Sequence, residues 1–159
     1  MPILNGSGYG GPWGLFTITV PPVTDGTFAV FALGNTTTTT NIYTYSSNAV
    51  ETGTALTTGL EYGAAAGNST LGVFALGGST TTNIYTYSSN AVATGTALTS
   101  GLAGGAAAGN STLGVFALGN TTTTNIYAYS SNAVATGTAL TSDEVSGAAA
   151  SNGTTGVNV

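Results

Sequence analysis

The stretch LGVFALGGSTTTNIYTYSSNAVATGTAL, residues 71–98, decides how this chain folds. Leu71 to Leu76 is apolar or glycine at every position, as a strand covered on both faces requires. Gly77-Gly78 ends it. Asn83-Ile84-Tyr85-Thr86-Tyr87 then alternates, which places Ile84 and Thr86 on one face of a second strand and Tyr85 with Tyr87 on the other. Ser88-Ser89-Asn90 supplies a turn, and Val92 to Leu98 reads as a further, more polar strand. Just upstream, Gly63 to Asn68-Ser69-Thr70 reads as a small-residue strand closed by a tight turn. β-branched and aromatic residues dominate, and no window combines helical periodicity with helix-forming residues. The unit is therefore four short antiparallel strands.

That unit is repeated three times. Phe-Ala-Leu-Gly begins at Phe31, Phe74 and Phe116, spacings of 43 and 42 residues. Asn-Ile-Tyr follows at Asn41, Asn83 and Asn125, Tyr-Ser-Ser-Asn-Ala-Val at Tyr45, Tyr87 and Tyr129, and Gly-Thr-Ala-Leu-Thr at Gly53, Gly95 and Gly137. Gly-Ala-Ala-Ala comes at Gly63, Gly105 and Gly147. The one-residue difference in spacing falls in the run Thr36 to Thr40, which marks a solvent-facing loop, because a slip within a strand would turn every later side chain to the wrong face. The organisation expected is an N-terminal arm over 1–22, repeats over about 23–62, 63–104 and 105–146, and an extra first strand over 147–159.

Composition narrows the chemistry. The 159 residues contain no lysine, arginine, histidine or cysteine, and the charged side chains are five acids, Asp25, Glu51, Glu61, Asp143 and Glu144. Histidine bases, Schiff-base lysines, thiolate nucleophiles, arginine clamps and Cys/His zinc sites all need atoms that these residues do not provide. Nucleic acid is not an expected partner, since phosphate affinity comes from Lys and Arg. At 42% apolar residues the chain has enough hydrophobic surface to fold. No apolar stretch reaches the roughly 18–20 residues of a membrane helix. Nothing at the start reads as a secretory signal, so synthesis inside the cell and no membrane insertion are the expectation.

Four antiparallel strands per unit, the second apolar throughout and the fourth most polar, suit one blade of a β-propeller, whose inner strands are sandwiched by neighbouring blades while the outer one meets water. The order apolar strand, Gly-Gly, Asn-Ile-Tyr-x-Tyr-Ser-Ser-Asn, fourth strand, Gly-Ala-Ala-Ala resembles the kelch repeat over roughly residues 20–159. The glycine pair is intact only at Gly77-Gly78, its counterparts being Gly34-Asn35 and Gly119-Asn120, and Val50, Val92 and Val134 stand near the place of the family's tryptophan. The resemblance implies an all-β fold of three four-stranded blades per chain, and an interaction scaffold; the copper oxidases related to the family use histidines, which this sequence lacks.

Three blades do not close a ring of about four to eight. The ring is therefore expected to be completed by oligomerisation, two chains making six blades, or to open into a filament if the rotation per chain does not close. The extra strand from Gly147 to Val157 would complete the first blade of a neighbour, whose own first strand, Val20-Pro21-Pro22-Val23, is degenerate. The rival fold is a β-solenoid of coils of about 21 residues stacking Thr, Asn and Val in parallel ladders, but nothing in 83–98 mirrors 63–77.

No catalytic residue, cofactor site or metal site is expected. The acids do not recur with the repeat, and adjacent Asp143 and Glu144 point to opposite faces of a strand. Asn-x-Ser/Thr triplets at Asn5, Asn35, Asn68, Asn110, Asn120 and Asn152 follow from composition rather than from glycosylation. The paired tyrosines are expected to pack half-buried between blades. The docking contacts expected are Trp13, Phe16 and Ile18 on the arm, with Val145 and Val157 near the other end. Function then reads as non-enzymatic: a building block of a particle or fibre, like a virion decoration or fibre protein, partnering itself and other structural proteins of the particle. The alternative is a propeller module that binds a glycan or protein at a cell or particle surface.

Overall fold

A computed structural model describes residues 27–59, 61–143 and 147–151. Among these residues the regular structure is β, apart from one 3-10 turn at Tyr87–Ser89. The first sheet contains β1 (Phe28–Ala32), β2 (Thr40–Thr44) and β3 (Ala49–Gly53). The second contains β4 (Ala64–Gly67), β5 (Leu71–Ala75), β6 (Thr82–Thr86) and β7 (Ala91–Thr94). The third repeats it with β8 (Ala107–Gly109), β9 (Leu113–Ala117), β10 (Thr124–Ala128) and β11 (Ala133–Thr136). Neighbours in sequence are neighbours in each sheet, every pairing is antiparallel, and none of the three sheets closes into a barrel. The parallel ladders of a solenoid are not found among the described strands. Residues 20–23, read as the first strand of the first repeat, lie outside the described residues.

Register repeats from sheet to sheet. Phe31 faces Asn41, Phe74 faces Asn83 and Phe116 faces Asn125, so a given repeat position projects from the same sheet face each time. The extra threonine sits in the β1–β2 loop at exposed Asn35 to Thr37, where it shifts no strand. Turn chemistry explains the asparagines. Asn35 and Asn120 hold φ near +52°, and Asn48, Asn90 and Asn132 hold φ of 53°, 50° and 51°, a left-handed region that asparagine enters more readily than most residues. Asn68 Oδ1 instead accepts from the backbone N–H groups of Thr70 (2.8 Å) and Leu71 (3.1 Å), and Asn110 does the same for Thr112 and Leu113. The triplets at Asn35, Asn68, Asn110 and Asn120 thus serve to turn the chain.

The sheets pack face to face with apolar side chains between them. Phe74, Leu76 and Tyr85 project from the second sheet onto Val30 and Ala32 of the first, with Leu56 beside them. From the opposite face of the second sheet, Val73 and Ala75 meet Phe116, Leu118 and Tyr127 of the third. Burial of β5 on both faces follows. Each such aromatic or leucine contributes about 1.5–3 kcal/mol by leaving water.

Two expected elements differ. The fourth strand ends at Thr94 rather than Leu98, because after Gly95 N–H donates to Thr82 O (2.9 Å) the chain leaves the sheet edge and Thr96 bonds the third sheet instead. Gly147 to Ser151 is exposed and irregular rather than a strand, and the described residues form no fourth sheet that could supply its ladder partner. Residues 152–159 lie outside the described residues.

Candidate functional site

The informative surface is the junction between repeats, which is built twice among the described residues, while its two halves also stand on the outer faces of the first and third sheets. After each fourth strand a loop crosses to the next sheet. Thr54 N–H donates to Tyr85 Oη (3.3 Å) and Asn90 Oδ1 (3.0 Å), while Tyr85 Oη itself donates to Asn90 Oδ1 and Thr54 Oγ1 donates to Asn90 O. Three residues on, Thr57 N–H and Oγ1 reach Asn83 Oδ1 at 2.8 and 3.1 Å, and Asn83 Nδ2 donates to Thr82 O (2.9 Å). The second junction copies the first: Thr96 on Tyr127 and Asn132, Thr99 on Asn125. Leu56 and Leu98, between the paired threonines, are buried by the following sheet. Asn83 and Asn125 have no exposed surface, yet every polar atom of their amides is bonded, which is what keeps a buried amide from costing stability.

Small residues make room for this contact. A Cβ on Gly53 would meet Tyr85 Oη at 2.5 Å, and one on Gly95 would collide with Tyr127 Oη. Gly95→Ala is therefore expected to destabilise the chain by about 1–3 kcal/mol through overpacking, measured as a fall in the urea midpoint. Gly137→Ala should cost less, since the atoms there belong to its own sheet, Thr124 and Ile126, and no tyrosine hydroxyl follows.

At the chain's two outer sheets the same positions are open. Phe31 is 54% exposed where Phe74 is 5% and Phe116 is 0% exposed, and Leu140 is 39% exposed where Leu98 is 3% exposed. Leu33, Tyr45 and Val50 are exposed on the first sheet and Val115 on the third. A cavity of about 200 Å³ lies beside β1, lined by Val30, Phe31 and Ala32 and by Gly63, Ala64 and Ala65. It occupies the place that a first strand of the first sheet would fill, since β4 stands in the corresponding relation to β5 and lies against the third sheet. A second cavity, about 530 Å³, opens over Ala108, Gly109, Leu113 and Val115, with Ala150 and Ser151 on its rim; Ser151 Oγ donates to Gly109 O.

Of the paired tyrosines, Tyr43 and Tyr87 are half-buried as expected, Tyr45 is exposed, and the other three are more deeply buried. Tyr85 and Tyr127 have no exposed surface and use their hydroxyls to bridge repeats. Tyr129 is also buried, and its hydroxyl has no hydrogen-bond partner; it fits a notch made by Gly109 and Gly114. Burial first, and the Tyr87 phenol second, push the Tyr129 pKa up from 10.0 to about 12. The unfolded chain releases this proton near pH 10 and the folded chain holds it until about pH 12, so stability present below pH 10 is lost as pH rises through this window. The loss expected is roughly 2 kcal/mol. Tyr129→Phe should remove most of it and leave neutral-pH stability equal or higher, because no bond is broken; denaturation curves at pH 7 and pH 11 test both.

The acids form no centre. Glu51, Glu61 and Asp143 are exposed, and no group of three His, Cys, Asp or Glu residues suited to a metal occurs among the described residues. No helix is long and apolar enough to cross a membrane among those residues. Trp13, Phe16, Ile18, Val145 and Val157, the docking contacts expected from sequence, lie outside the described residues. The threonine loops and asparagine sockets were not among those contacts, although Thr-x-x-Thr at Thr54, Thr96 and Thr138 and Asn-x-Tyr at Asn41, Asn83 and Asn125 recur at constant offsets. The chain matches no protein-family model, and no match is found among curated proteins.

Proposed function

We propose that the chain is a non-enzymatic structural building block of a particle or fibre, of the kind that decorates or extends a virion, and that its repeats are kelch-like propeller blades stacking on the blades of neighbouring copies. The observation that carries this reading is the contrast between identical repeat positions: Phe74 and Phe116 are covered, while Phe31 stands 54% exposed at the open end of the stack. An apolar face left open on a chain with few charges to keep copies apart favours association. Strand exchange would fill the smaller cavity. Gly147-Ala148-Ala149-Ala150 has the composition of Gly63-Ala64-Ala65-Ala66, and its small side chains suit the slot of about 200 Å³ beside a neighbour's β1, which pairs on one edge only among the described strands.

Two copies would close six blades; a rotation that misses closure would give a filament. Sedimentation velocity over a wide concentration range, with negative-stain images of the largest species, tests the reading. Rings or filaments are expected. A stable monomer at all concentrations overturns it.

A further inference from the structure

Each repeat carries a projecting loop and a receiving socket, and two of the three pairs are engaged among the described residues. The loops are Thr54 to Thr57, Thr96 to Thr99 and Thr138 to Thr141; the sockets are formed by Asn41, Tyr43 and Asn48, by Asn83, Tyr85 and Asn90, and by Asn125, Tyr127 and Asn132. The first loop fills the second socket and the second loop fills the third. We propose that the remaining pair joins two copies of this chain head to tail: Thr138, Leu140 and Thr141 of one copy seat on Asn41, Tyr43 and Asn48 of the next. The proposal rests on the building-block reading and specifies which surfaces meet.

Both unpaired halves already have the geometry of the paired ones. In the loop, Thr124 Oγ1 donates to Thr138 O at 2.8 Å, as Thr82 does to Thr96 O (2.9 Å) and Thr40 to Thr54 O (2.9 Å). Leu140 N–H donates to Thr122 O (2.8 Å), matching Leu98 to Thr80 O (2.9 Å). In the socket, Tyr43 Oη donates to Asn48 Oδ1 (2.5 Å), and Asn48 has the left-handed φ of Asn90 and Asn132. Asn41 Nδ2 bonds Thr40 O (3.1 Å), as Asn83 and Asn125 bond Thr82 and Thr124, while among the described residues the threonine partner that Thr57 and Thr99 supply to those asparagines is missing at Asn41. Little ordering is left to be done on association, and preorganisation of that kind lowers the cost of binding.

The apolar surfaces match as well. Leu98 is buried among Phe116, Leu118 and Tyr127, so Leu140 would meet Phe31, Leu33 and Tyr43 of the next copy, residues at the same repeat positions. Loop and socket are different surfaces, which makes the contact heterologous: it propagates in one direction until it closes.

The test uses single-cysteine variants, clean because the chain has no cysteine of its own. Thr141→Cys and Asn41→Cys chains are prepared separately, mixed, and treated with a short thiol-to-thiol crosslinker. A covalent heterodimer joined at those two positions is expected in the mixture and not in either variant alone. In parallel, Leu140→Asp is expected to weaken self-association at least about tenfold while lowering the melting temperature of the dilute chain far less than Leu98→Asp does, since Leu140 is 39% exposed there and Leu98 3%. Oligomers that persist without the heterodimer, or that tolerate Leu140→Asp, would overturn the proposed contact and leave the building-block reading standing. The absence of any oligomer would overturn both.

Discussion

Phe116→Ala is expected to destabilise the isolated chain by about 3–5 kcal/mol, whereas the same substitution at Phe31 should change it by no more than about 1 kcal/mol. The two phenylalanines share a motif and a register, so neither propensity nor pattern separates them. Position in the stack does. Phe116 has no exposed surface, meets Tyr127 edge-on with ring centroids 6.5 Å apart and packs in the cluster containing Val73, Leu102 and Leu118. Removing its ring leaves a void that the neighbouring sheets cannot close without losing their own contacts. Phe31 is already more than half in water. Urea titrations at concentrations that keep the chain monomeric would measure the pair, and a fall in melting temperature of about 10 °C for Phe116→Ala accompanies the larger loss. Equal costs would mean that Phe31 is covered within a single chain. At concentrations where copies associate, Phe31→Ala should reduce assembly, since there the ring takes the place of Phe74 at an internal junction.

Much of the architecture was legible because it is local. Alternation along Asn83 to Tyr87 assigns Ile84 to one face and Tyr85 to the other, and the clusters place them so. The apolar run from Leu71 to Leu76, the loop position of the extra threonine and the asparagine turns all follow from period-two geometry and backbone preference. What escaped is non-local. Thr96 reads as a good strand residue in its own segment; it leaves the sheet because Tyr127 and Asn132, in the next repeat, offer its N–H better partners. The expectation of half-buried tyrosines holds at Tyr43 and Tyr87 but not at Tyr85 and Tyr127, whose full burial is eased by bonded hydroxyls, and the bonding atoms there include a threonine of the preceding repeat. The constant offset between Thr-x-x-Thr and the following Asn-x-Tyr is the trace of this contact in the sequence. It becomes readable only once the sheets are known to stack.

The second large effect is expected at the buried amides. Asn125→Ala should cost about 1–3 kcal/mol, because it removes the acceptor used by Thr99 N–H (2.8 Å) and Thr99 Oγ1 (3.1 Å) and one of the two donors on Thr124 O, which keeps only Gly137 N–H (2.9 Å). Asn41→Ala, at the same register position on the open sheet, breaks only the bond to Thr40 O and should change the monomer by about 0.5 kcal/mol or less. Asn125→Asp discriminates further. The carboxylate keeps an acceptor for Thr99 but faces Thr124 O with an oxygen where Asn125 presented a donor, and the chain has no lysine, arginine or histidine to neutralise it. Burial would raise the folded-state pKa of this carboxyl, so stability present below the unfolded value of about 4 would be lost as pH rises toward neutrality. Asn125→Asp is therefore expected to fall below Asn125→Ala at pH 7 and to recover at pH 4, where the protonated acid can again donate to Thr124 O. Denaturation of both variants at the two pH values measures this crossing; an aspartate variant as stable at pH 7 as at pH 4 would show that water reaches the junction, and the sealed contact between repeats would have to be abandoned.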